Sequence, residues 1–459
     1  MKTIDFIVFI IYFAALISVG IIGVLKAKSS EKYMVADRNL GLWMLFGCLT
    51  AVFLGGSSTI GTSQLGYEIG LSGFWFVFSL GVGITIFGLF LLDRIMDLQV
   101  ITISELLYRL FGHRVRVMGA VVTAMYTLMI CVTQVIAMGA VVSQIFHWPM
   151  MTAILVGGSI VFVYTILGGM WTLSITDVIQ FLVMTIGIFC IMLPMSLHSV
   201  GGLTTLIEQL PASHLSFFNI GVGEIVNYFV TYTLGVMVGQ DIWQRFFTGK
   251  TKRVSKASGV LLVGLYSALY SIVMVIVGMC AYVLFPNIQN TQNVFAHMAF
   301  EILPNGLLGI VFAALIAAIM STASGTLLAS ATIISNDLLK PYVFKNMEDH
   351  QFLGLTRLTT CILAVIAIVI SIWVKEVLVA IDIAYAILTG GIFMPVVLGL
   401  FMKRITPQAA FYAIIASVIV IFIGIAITGP QSTATIFYAI LVNAIILIIM
   451  SQFQRKKEA

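Results

Sequence analysis

Ala51-Val52-Phe53-Leu54-Gly55-Gly56-Ser57-Ser58-Thr59-Ile60-Gly61-Thr62-Ser63-Gln64 is the stretch on which the fold turns. Glycines and hydroxyls crowd into the middle of an otherwise apolar segment, 42–65. Inside lipid such an interruption is costly unless it lines a cavity. One reading is local unwinding near the membrane midplane, which frees the carbonyls of Ala51 and Leu54. Small-residue helix packing of the Gly-xxx-Gly sort would use the same residues, and this stretch alone does not separate the two.

That the surroundings are lipid follows from composition. Of 459 residues, 61% are hydrophobic and 9% charged, against roughly 25% charged in an ordinary globular domain. A soluble fold needs a polar exterior that this chain cannot supply. A spanning β-barrel would show segments of about ten residues with alternating polarity. The apolar runs here are unbroken and about twenty residues long, the helix length for a hydrocarbon core of about 30 Å. The expected fold class is therefore an all-α polytopic membrane protein. Ile4 to Leu25 is too long for a signal-peptide core and no small-residue cleavage site follows it. Cys48, Cys131, Cys190, Cys280 and Cys361 are widely spaced within apolar runs, which suggests neither disulfides nor a metal cluster.

Helices are expected near 4–25, 42–65, 74–92, 117–145, 150–167, 175–195 and 224–247, then near 256–284, 307–336, 354–373, 378–401, 408–427 and 434–452. About thirteen spans follow, which puts the termini on opposite sides. Lys and Arg sort onto one set of connecting loops, with only Lys2 and Lys375 on the other. By the positive-inside rule the N-terminus lies outside and the C-terminus in the cytoplasm of a bacterial-type inner membrane. The net charge of +5 is then a topology signal, and no nucleic-acid partner is expected. No obligate protein partner is evident. The predicted outer loops 196–223 and 285–306 carry Pro211, Pro286 and Pro304 and lack Lys and Arg.

Two further interruptions resemble the first. Ala318, Ser321 and Thr322 in the segment 307–336 stand at i, i+3 and i+4 and share a helix face. Their carbonyl and two hydroxyls could join the carbonyls of Ala51 and Leu54 in a cage of oxygens suited to a hard monovalent cation. Hydroxyls bonding back to their own helix are the alternative. Asp177 lies one turn into the apolar run 175–195. A carboxylate there is by default a functional group with a nearby partner, or else a helix cap.

Together these stretches resemble the sodium/solute symporter family, which includes bacterial proline, pantothenate, sialic acid and sugar transporters. The resemblance runs from Asp37 to Arg404. It is carried by Ala51 to Tyr67, by Gly168-Gly169-Met170-Trp171 through Asp177-Val178-Ile179-Gln180, by Trp243-Gln244-Arg245, and by Ala317-Ala318-Ile319-Met320-Ser321-Thr322 through Asn336-Asp337. It implies an inverted five-helix repeat of the leucine-transporter type, with repeats at 42–195 and 224–401, an extra helix at 4–25 and two more at 408–452. Each repeat would open with a broken helix, the second break falling in Thr231 to Gly239.

The resemblance further implies a Na⁺ site at Ala51, Leu54, Ala318, Ser321 and Thr322. Asp177 and Ser324 match a second-cation or coupling position, but Gly325 stands where another hydroxyl is expected, which favours one Na⁺. The implied activity is Na⁺-coupled symport of a small polar solute by alternating access, with no enzymatic chemistry. Ser57, Ser58, Phe74, Trp75, Ser79, Gln134 and Tyr232 are the expected solute lining. Sugar-carrying members place acid and amide groups where Ser57 and Ser58 stand and a lysine where Tyr266 stands, so a small amino acid or similar compact solute fits better. Asp382 is a second intramembrane acid, suited to a cationic solute or to a cap beside Lys375. Proton coupling through Asp177 is the alternative mechanism. A membrane solute sensor is disfavoured, since the sequence ends at Ala459 just after the last expected helix.

Overall fold

The computed structural model describes residues 1–26, 38–167, 170–345, 347–402, 404–430 and 433–458. Gly168 and Gly169 of the family motif, Asp37, and the basic residues Lys28, Lys32 and Lys403 lie outside them. Among the described residues the structure is all helix, with one isolated bridge between Leu40 and Gly249.

The principal helices are α1 (Thr3–Lys26), α2 (Leu42–Phe53), α3 (Thr62–Ile69), α4 (Phe74–Ile86), α5 (His113–Phe146), α6 (Met150–Leu167) and α7 (Met170–Thr185). They continue as α8 (Gly221–Val236), α9 (Gln240–Phe246), α10 (Gly264–Leu284), α11 (Leu307–Ile333), α12 (Asp349–Val374), α13 (Val377–Leu388), α14 (Pro407–Thr428) and α15 (Thr433–Glu458). Among the described residues, ten helices are long and apolar enough to cross a membrane, or eleven if α8 and α9 form one span.

Every segment expected from the sequence is helical, so the difference in number has local causes. The expected helix 42–65 is cut at Leu54, leaving the short α2. Its continuation runs on through a tight turn at Gly70–Gly73, so that Ser57–Asp97 is one 41-residue helical stretch. Gly70 makes that turn at φ +63°, a conformation that suits glycine. Met150–Val163 is the other short apolar piece.

The centre of the bundle is α11. Within Leu307–Tyr342 its most apolar stretch is the most buried of the long spans among the described residues. Ala, Ser, Thr and Gly dominate its middle, from Ala313 to Thr332. Small side chains let neighbouring backbones come close, and α1, α2, α5, α7, α9 and α12 all pack on it. The N-terminal helix is tied to this centre by Asp5, which is fully buried. Its Oδ1 accepts the backbone N–H groups of Gly306 at 2.7 Å and Gly309 at 3.0 Å, at the start of α11. A carboxylate at a helix N-terminus satisfies orphan donors and favours the helix dipole.

The basic connections gather at one end. There Lys256 pairs with Asp93 at 3.1 Å, Lys252 with Asp97, and Arg116 with the buried Asp337 at 2.9 Å. The connections poor in basic residues meet at the other end: Leu71 N–H donates to His214 O at 2.8 Å, and Tyr67 Oη to Phe285 O at 3.0 Å.

Candidate functional site

The first break lies between α2 and α3. Helix α2 stops at Phe53, and Leu54 has left helical geometry at φ −99°, ψ 69°. Helical bonding resumes in a wide π-type turn over Ser57–Gly61. The last carbonyls of a stopped helix have no partner within it, and α11 supplies one from the side. Ser321 Oγ donates to Ala51 O at 2.7 Å and lies 3.0 Å from Ala318 O. Thr322 Oγ1 lies 2.8 Å from Val52 O, 3.3 Å from Ala318 O and 3.4 Å from Ala51 O. Four of the five oxygens expected from the sequence thus form one cluster, and Val52 joins them. Leu54 is at the same break, with its N–H on Thr50 O at 2.9 Å.

The other side of the break is closed by Gln134 of α5. Its Oε1 accepts Gly56 N–H at 2.7 Å, and its Nε2 reaches Thr133 Oγ1. No side chain fits at Gly55, where a Cβ would come within 2.3 Å of Thr322 Oγ1 and 2.8 Å of Gln134 Oε1. Gln134, expected to touch solute, instead caps a broken helix.

The second break separates α8 from α9, which meet at 51°. Its freed carbonyl, Met237 O, accepts the indole N–H of Trp243 at 2.8 Å. Tyr126 Oη donates to Asp241 Oδ1 at 3.2 Å beside it. This break carries Arg245 into the interior. Lys and Arg near the end of the expected helix 224–247 sort with the basic loops, but Arg245 is fully buried and pairs with Asp177 Oδ2 at 3.0 Å. The cause is the bend, which turns the half-helix α9 inward instead of letting it run out to the loop.

Asp177 is therefore no cap. It sits two turns inside α7, also fully buried, and its Oδ1 has no hydrogen-bond partner among the described residues. Ser324 Oγ bonds back to Ser321 O at 3.1 Å, within its own helix. The Arg245 guanidinium lies beside Gly325, where an added Cβ would come 3.0 Å from Arg245 Nη2.

A cavity of about 870 Å³ opens at the end of the bundle poor in basic residues. Its inner wall includes Phe76, Tyr228, Thr231, Tyr232 and Asp382. Tyr232 Oη donates to Asp382 Oδ1. Of the expected solute-lining residues only Tyr232 is part of this wall. Phe74 and Trp75 face the 211–218 connection, where Trp75 Nε1 donates to Phe217 O at 2.7 Å and both rings meet Phe217. Ser79 Oγ bonds to Phe76 O in its own helix, and its carbonyl takes the Thr233 hydroxyl. Ser57 and Ser58 are buried at the break, away from the cavity. The turn at Gly70 sets the rotation of α4, so Phe76 and not Phe74 or Trp75 reaches the space.

Two broken helices, with a polar cluster at the first break, are the pattern of a secondary transporter. The sequence comparisons agree. Residues 33–417 match the sodium:solute symporter family, and the chain belongs to that family. It is 26% identical to a sodium/glucose cotransporter of Vibrio parahaemolyticus, over 90% of this chain and 84% of the relative. It is 24% identical to a sodium/proline symporter of Haemophilus influenzae, over 91% and 87%. A solved structure of a Na⁺-coupled sialic acid symporter in a substrate-bound outward-open state superimposes with a TM-score of 0.85. That match covers 98% of each chain at 18% identity, and shows that the two share the leucine-transporter-type fold. The protein is a multi-pass membrane protein of the sodium-coupled symporter class.

Proposed function

We propose that the protein carries a small polar organic solute into the cell together with one Na⁺ per cycle, by alternating access. The observation that carries this reading is the oxygen cluster at the first break. The hydroxyls of Ser321 and Thr322 each lie within 3.4 Å of both Ala51 O and Ala318 O, across two helices. All are neutral and buried, a donor set for a hard monovalent cation. In the ion's absence the hydroxyls donate to the carbonyls; with Na⁺ present they turn their lone pairs to it, joined by Leu54 O. Because the ligands come from α2 and α11, binding ties the two helices together. That linkage makes occupancy favour one arrangement of the bundle.

One Na⁺ per cycle follows from what surrounds Asp177. The Arg245 guanidinium holds its Oδ2 and lies against Gly325, the place where a further hydroxyl would serve a second ion. A tethered cation thus takes the second ion's position. Proton coupling is the rival reading, favoured by the unpartnered Asp177 Oδ1 and opposed by the arginine on the other oxygen.

In orientation, the basic-rich end faces the cytoplasm and the cavity faces outward, with repeats at 42–195 and 224–401. Na⁺ entering through this path moves down the membrane potential, worth about 2.3 kcal/mol per charge per 100 mV. Counterflow in proteoliposomes with a panel of solutes, with and without a Na⁺ gradient, tests the proposal. Uptake that follows a pH gradient and ignores Na⁺ contradicts it.

A further inference from the structure

We infer that the solute is a small organic ammonium ion, held at the inner wall of the cavity by Asp382 and the rings of Phe76, Tyr228 and Tyr232. This rests on the symport reading and names the class of solute that the same cavity takes. The rings form a continuous aromatic wall. Phe76 and Tyr232 meet at 5.0 Å between centroids, and Tyr228 stacks on Tyr232 at 5.7 Å. All three line the cavity. Aromatic faces carry negative quadrupole density and attract alkylammonium groups without needing N–H donors.

Asp382 supplies the formal charge. It lines the same wall from α13, and one of its oxygens takes the Tyr232 hydroxyl. Among the described residues no Lys, Arg or His forms an ion pair with it. A carboxylate at membrane depth without a cation is costly and marks a site where one arrives. Of the other buried acids, Asp177 has Arg245, Asp337 has Arg116 and Asp5 has two backbone N–H groups, while Asp241, held by the Tyr126 hydroxyl, is not part of the cavity lining as Asp382 is.

Thr231 gives an independent pointer. The residue is 4% exposed and lines the cavity. It is placed to meet the polar end of a bound molecule. The rim repeats the sign of the floor. Glu68, Glu224 and Glu376 line the entrance against a single lysine, Lys375. Carboxylates around a concave, low-dielectric mouth concentrate cations there and repel anions. A neutral sugar would leave the charge of Asp382 uncompensated, and an anion would face four carboxylates.

The test is calorimetric titration of the purified full-length chain in NaCl, with tetramethylammonium, ethylammonium, tert-butanol and propionate as probes. Binding of radioactive sodium is measured in parallel. The two ammonium probes bind and the neutral and anionic ones do not. Asp382→Asn weakens ammonium binding at least roughly tenfold, through loss of the charged partner. Tyr228→Leu, at a partly exposed position of the wall, weakens tetramethylammonium roughly fivefold while leaving the charge in place. Comparable binding of tert-butanol or propionate overturns the inference, as does ammonium binding that neither variant changes. A protein that binds sodium but no ammonium probe also overturns it and leaves symport standing. A protein that binds neither removes the symport reading with it.

Discussion

The two broken helices both leave loose ends in the interior, yet these ends are met by different chemistry. At the first break, the carbonyls of Ala51 and Val52 meet the hydroxyls of Ser321 and Thr322. At the second, the carbonyl of Met237 meets the indole of Trp243, from six residues further along its own chain. A hydroxyl both donates and accepts, so it can release a carbonyl and join it in holding a cation. An indole N–H only donates. The first break can therefore exchange its hydrogen bonds for an ion, while the second is a fixed joint that positions Arg245. On the proposed function, two breaks of similar origin thus divide into one that binds and one that anchors.

Loss of the anchor carries the largest expected effect. Arg245→Met leaves Asp177 buried without its cation, at a cost of about 3–5 kcal/mol in unfolding of the purified protein. Adding Asp177→Leu restores most of that stability, because a buried pair can be replaced by apolar groups. A single variant as stable as wild type would show that α9 is anchored by something else.

Next in size is Ser321→Ala. Loss of one neutral ligand from the cation cluster, at about 1.5–3 kcal/mol for a hydrogen-bonding group facing a charge, raises the Na⁺ concentration for half-maximal uptake at least tenfold. An unchanged requirement would take Ser321 out of the cage. Gln134→Leu acts on the backbone of the same break by leaving Gly56 N–H unmet, which costs about 1–3 kcal/mol of stability. Retention of full stability would mean that the half-helix after the break finds its cap elsewhere. The smallest effect belongs to Trp243→Phe, which removes the Met237 bond at about 0.5–1.5 kcal/mol and leaves Na⁺ dependence where it was. A Na⁺ requirement that moves as far as in Ser321→Ala would erase the distinction between the breaks.

Much of this was legible in the residues. The lengths of the apolar runs located the helices, and the sorting of Lys and Arg matches the end at which Lys252, Lys256 and Arg116 make their ion pairs. The spacing of Ala318, Ser321 and Thr322 placed three oxygens on the face that meets α2. What could not be read depended on rotation and bending. Val52 joins the cluster because α2 ends at Phe53, a boundary that hydropathy does not resolve to one residue. Arg245 read as a loop residue because nothing in local composition reports a 51° bend. Phe76 was passed over for Phe74 and Trp75 because the face of α4 is set by the turn at Gly70, several residues earlier.

The most direct test needs no knowledge of the solute. Equilibrium binding of radioactive sodium to the purified chain should show one saturable site. That site should be lost in the double variant Ser321→Ala/Thr322→Ala and kept in Trp243→Phe. Sodium binding that persists in the double variant, or a second site of equal occupancy, would contradict the account.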